Sequence, residues 1–153
     1  MRRWIVVDTN VLVSGVFGIG TSSAPRRILD AMLAGEVRFV VSEELVFEYR
    51  RVLLLPRISR RHGLDEDEVD RLLGALLENG ALRRPVADSV DLSAAQERNP
   101  APAVPGDEHI IDLLRTEPRA LLVTGDRILA SAVGHWREVS TPAHFAVSLG
   151  PVE

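Results

Sequence analysis

Four apolar residues, Trp4-Ile5-Val6-Val7, run straight into Asp8-Thr9-Asn10. A short run without polar alternation reads as a strand covered on both faces, the signature of a parallel sheet with helices packed against it. In open α/β sheets ligands sit just beyond the carboxyl ends of the strands. Asp8 stands at such an end. The same logic returns late in the chain, where Leu121-Leu122-Val123-Thr124-Gly125 leads into Asp126. Two strands delivering aspartates to one sheet edge point to a metal site.

The spaces between these strands read as helices. Residues 9–16 continue as a short apolar helix, and 17–23 form a loop. A helix starts near Ala24-Pro25 with Ser23 as its cap and ends at Gly35. Residues 37–41 form the second strand. Ser42 caps the next helix, whose Glu43 and Glu44 suit its positive end, and Pro56 interrupts it. Asp65 and Glu68 pair as a capping box for a helix over 65–79, closed by Gly80. One short strand is expected within 81–86 or 88–93. Residues 97–106 hold three prolines and read as a loop. Helix is expected over 107–116, strand over 120–124 and helix over 126–133. An edge strand over 137–140 and a last helix over 142–148 complete the pattern. Alternating strands and helices mean an α/β fold with a mainly parallel sheet. A chain of 153 residues suits one domain, 1–153.

Composition narrows the chemistry. Without cysteine there is no thiolate nucleophile and no sulfur-built zinc site. All 18 basic residues are arginine, and the missing lysine excludes a P-loop or Schiff-base mechanism. A net charge of −4 argues against non-specific coating of nucleic acid, although an acidic centre ringed by arginines remains compatible with a nuclease. No apolar run reaches the roughly 18 residues of a membrane span. The apolar stretch before Asp8 is too short for a signal peptide, so a cytoplasmic location without membrane contact is expected.

Three further carboxylates compete for attention. Asp107 opens a helix after the proline-rich loop, and that helix leads into the strand ending at Asp126. Its own start should therefore lie at the same edge. Each of Asp8, Asp107 and Asp126 could equally be a helix cap. Glu44 and Glu48 share one face of the helix after Ser42, and spacing does not choose between them. Four ionised carboxylates in a small volume raise one another's pKa, which a hard divalent cation relieves. His109, near Asp107, could touch a substrate, but surface or helix packing is the favoured reading. Arg50, Arg51, Arg57, Arg60 and Arg61 form a basic segment, either a solvated face or a contact for phosphate or an acidic partner.

The ordered set Val6–Ser14, Val41-Ser42 with Glu48-Tyr49, Gly106–Asp112 and Leu122–Asp126 resembles PIN-domain proteins of the VapC-like toxin type. The resemblance spans residues 5–126. It implies a three-layer α/β/α sandwich and a magnesium- or manganese-dependent ribonuclease. It assigns catalysis and metal binding to Asp8, Glu48, Asp107 and Asp126, which decides for Glu48 over Glu44. It gives Thr9, Asn10 and Thr124 supporting hydrogen-bond roles. It further implies RNA as substrate, a cognate antitoxin as partner and a homodimer. One departure is the segment 99–106, where relatives often carry more acidic residues. There the prolines could hold Asp107 away from the other carboxylates. Two readings of other classes compete. One is a catalytically idle module that binds RNA or protein through the basic segment. The other is a phosphotransferase with Asp8 as nucleophile, which would want an aspartate at position 10, where this chain has asparagine.

Overall fold

The computed structural model describes residues 3–18, 20–85 and 101–150. The elements are β1 (Trp4–Val7), α1 (Thr9–Phe17), α2 (Ala24–Leu33), β2 (Arg38–Val41), α3 (Glu43–Leu53), α4 (Pro56–His62), α5 (Glu66–Asn79), β3 (Ala81–Leu82), α6 (Glu108–Thr116), β4 (Leu121–Val123), α7 (Arg127–Gly134), β5 (Val139–Ser140) and α8 (Pro142–Ser148). The strands form one parallel sheet in the order β3-β2-β1-β4-β5, sandwiched between helices as the pattern implied.

The run that opened the sequence is the middle of this sheet. Ile5, Val6 and Val7 are almost fully buried, paired with β2 on one side and β4 on the other. Trp4 is only half-buried, and the guanidinium groups of Arg38 and Arg83 lie 5.8 and 5.6 Å from its ring centre. Beyond β1 the chain turns to β2 and β3 on one flank, then returns to β4 and β5 on the other. The carboxyl ends of β1 and β4 therefore flank the topological switch point, where a crevice opens in this class of sheet.

Local signals set most helix starts. Ser23 accepts from the Arg26 amide, Ser42 from Leu45 and Asp65 from Glu68, whose side chain completes the capping box. Pro56 does more than interrupt: it starts α4 at the first turn, where a missing N–H costs nothing. The short strand expected after Gly80 is β3. The 88–93 alternative and residues 97–100 of the proline-rich loop lie outside the described residues. Gly15 allows α1 to lie against α2, because a Cβ there would sit 2.8 Å from the Pro25 carbonyl oxygen.

Candidate active site

Asp8 follows β1 directly. Its own amide donates to the Val123 carbonyl at 3.0 Å, so the β1–β4 ladder runs right up to it. Its carboxylate is 5% exposed. Oδ1 accepts from the Thr9 amide at 2.8 Å, and Oδ2 accepts from Thr124 Oγ1 at 2.6 Å. The cap reading is thus correct for Asp8, and it is also incomplete. Burial pushes this carboxyl above its ordinary value; the Thr124 and Thr9 bonds pull it down, and the charges of Glu48 and Asp126 push it up.

Thr124 couples the two strand ends. While its hydroxyl donates to Asp8, it accepts from the Asp126 amide at 3.0 Å. Asp126 in turn caps α7, its Oδ1 accepting from the amides of Ile128 and Leu129 at 2.9 and 3.2 Å. One hydroxyl that is 1% exposed therefore fixes the spacing of both aspartates.

Glu48 is brought in by α3. Leu45, Tyr49 and Leu53 form the buried stripe of that helix, and the Tyr49 hydroxyl donates to the Val7 carbonyl beneath the site. This anchor turns Glu48 toward Thr9, whose hydroxyl donates to Glu48 Oε2. Glu44 stays exposed. Burial, with Asp8 and Glu48 nearby, raises the Tyr49 phenol well above its normal value, so it remains a neutral donor.

Asp107 precedes α6 but does not cap it with its side chain. The plain cap reading fails here. Burial raises this carboxyl, and so do the charges of Asp8, Glu48 and Asp126, while His109 acts in the opposite sense. The proline-rich segment has therefore not carried Asp107 out of electrostatic reach of the other three. The arrangement is open all the same. Among the described residues no three His, Asp or Glu side chains converge closely enough to hold an ion as they stand. Their chemistry nevertheless fits a hard cation, since all four offer carboxylate oxygens, and Asp8 and Asp107 are held above their ordinary pKa by burial and by neighbouring carboxylate charge.

Sequence reasoning notes His109 beside Asp107 but favours surface or helix packing over a contact with substrate. It is no mere packing residue: its Nε2 lies 3.0 Å from Glu48 Oε2, where an ionised carboxylate accepts an N–H from the ring. The available signal was the position of His109 two residues after Asp107, on the turn that starts α6. Asn10 differs from Thr9 and Thr124. Its exposed side chain binds none of the carboxylates and lines a neighbouring crevice. The basic segment is partly committed elsewhere. Arg50 pairs with Glu66 and Asp70, and Arg61 lies over the Phe17 ring at 4.1 Å. Arg51 Nη2 is 3.8 Å from Glu48 Oε1.

Among the described residues, no helix is long and apolar enough to cross a membrane. No curated protein matches the chain. A family model described as PIN domain matches residues 4–128, which includes all four carboxylates.

Proposed function

The chain belongs to the PIN domain family, generally one of nucleases, and from that premise we propose that it is a divalent-metal-dependent endoribonuclease. The observation that carries this reading is the set of four carboxylates from four segments near the switch point, two of them, Asp8 and Asp107, raised in pKa first by burial and further by neighbouring charge. Asp8, Asp107 and Asp126 would hold magnesium or manganese, with Glu48 completing the site. When bound, the cation would make a water more acidic and stabilise the leaving oxygen of the phosphodiester.

The chain's own residues supply the rest. Thr9 and Thr124 aim the carboxylates of Glu48 and Asp8 by donating hydrogen bonds to them, and the Thr124 bond lowers the pKa of Asp8 against the effect of its burial. Glu48 is held at Oε2 by Thr9 and His109, which leaves Oε1 to orient a water and take its proton. Arg51, two-thirds exposed beside Glu48, is placed to meet backbone phosphate. Hydrolysis by this route leaves a 5′-phosphate and a 3′-hydroxyl and needs no 2′-hydroxyl nucleophile. The resemblance to VapC-like toxins carries the further proposals of a cognate antitoxin, a homodimer and a cytoplasmic setting.

Manganese titration by calorimetry separates this enzyme from an idle binding module on the same fold. Binding by the wild type that is lost in Asp8→Asn supports the enzyme, and no binding at all supports the module. The ion pairs of Arg50 and the seat of Arg61 on Phe17 already weaken the module, since they tie up two of its five cations.

A further inference from the structure

A second feature lies beside the carboxylates, on the flank of Asp126. It is a crevice of about 330 Å³ lined by Asn10, Val11, Ser14, Pro25, Gly125, Asp126 and Pro142. Its walls come from the segments that follow β1, β4 and β5, closed by the first turn of α2. Such a crevice, outside the carboxyl ends of strands at the switch point, is where this architecture binds ligands. Its volume is at the lower end of small-molecule sites, roughly 300–1,000 Å³. That is room for one nucleoside.

The lining says what kind of group it takes. Among the described residues its one charge belongs to Asp126, a member of the acidic centre, so a phosphate would be repelled. Two proline rings offer flat apolar contact. Asn10 and Ser14 stand one turn apart on α1, both exposed, and neither side chain has a hydrogen-bond partner among the described residues. An amide and a hydroxyl in this position can pair with a base edge or a ribose hydroxyl. The space beside Gly125 is open: a Cβ there would meet nothing within 4 Å.

We propose that this crevice is the subsite for the nucleoside next to the scissile phosphate, with Asn10 and Ser14 as its polar contacts. The proposal rests on the ribonuclease reading. Phosphate chemistry proceeds at the carboxylates while the adjoining base and ribose occupy the crevice. Asn10 and Ser14 then help to determine which junctions are cut and how firmly RNA is held.

The test is cleavage of a structured RNA in manganese, with cut sites mapped, by the wild type, Ser14→Trp and the double variant Asn10→Ala/Ser14→Ala. Ser14→Trp fills the crevice and should lower kcat/KM at least about tenfold, a loss of substrate and transition-state binding. Its manganese affinity and melting temperature should stay as in the wild type. The alanine pair keeps the space open and should change the preferred base at the cut; it also decides the matter if the tryptophan variant does not fold. Wild-type kcat/KM and unchanged cut sites in the folded variants would overturn the subsite alone. A wild type that binds manganese yet cuts no RNA would overturn the ribonuclease reading, and the subsite with it.

Discussion

Asp107 is the least supported of the four carboxylates. It makes no capping bond, it is partly buried, and it feels the charges of Asp8, Glu48 and Asp126. Its folded pKa lies above the ordinary 3.8. Between those values the native state binds more protons than the unfolded chain, so its contribution to stability falls as pH rises through that window. Above the window the ionised group is a cost that the fold carries throughout the neutral range. Asp107→Asn should therefore raise the melting temperature of the metal-free protein at neutral pH while removing cleavage. A lower melting temperature in differential scanning calorimetry would contradict this account. His109 acts through Glu48. Losing an outer-shell partner of this kind typically costs about 10- to 100-fold. His109→Ala should cut more slowly by that order, and His109→Gln, which keeps an N–H donor, should recover part of the rate. In an Glu48→Gln background the alanine change should add little; a full independent loss there would show that His109 works through something else.

At the scale of elements, the bond network joining the ends of β1 and β4 carries the site. Thr124→Val keeps the shape of the side chain but leaves Asp8 Oδ2 and the Asp126 amide without their partner. Chemical denaturation should show a loss of about 1–3 kcal/mol. Gly15→Val drives a side chain into the Pro25 carbonyl and should cost about 1–3 kcal/mol by overpacking α1 against α2; an unchanged midpoint would mean the two helices separate freely. These elements also show what could be read without coordinates. The starts at Ser23, Ser42 and Asp65 were legible because a cap is a contact within three residues of its own helix. The central strand was legible because burial on both faces writes a continuous apolar run. β3 and β5, two residues each, were not readable to their bounds. Their extent is set by partners far along the chain, Val40 facing Ala81 and Val123 facing Ser140. The meeting of His109 with Glu48 across 61 residues depends on how α6 settles against α3, which no local pattern encodes. Glu44 and Glu48 are equivalent by spacing, and in the fold the Tyr49 anchor on Val7 and the Thr9 bond to Glu48 separate them.

At the scale of the molecule, the sheet order does the assembling. Placing β4 beside β1, after β2 and β3 have gone the other way, brings Asp8 and Asp126 to one edge of the sheet. α3 then supplies Glu48, and the residue just before α6 supplies Asp107. On the proposed reading, a cation bound among these carboxylates should add to the stability of the fold. Manganese at about 100 times its dissociation constant contributes roughly 2.7 kcal/mol by mass action, which for a domain of this size is about 5–10 °C in melting temperature. Asp8→Asn should show little of that gain. Because Asn retains the shape of the buried carboxylate, the same variant also provides the most direct test. Purified wild type and Asp8→Asn would be incubated with a structured RNA in manganese and in EDTA, and the product ends identified. Cleavage by the wild type in manganese alone, leaving 5′-phosphate and 3′-hydroxyl ends and absent in the folded variant, is the predicted result. Equal cutting by Asp8→Asn, or cutting that persists in EDTA, would contradict a carboxylate-held metal centre at the switch point.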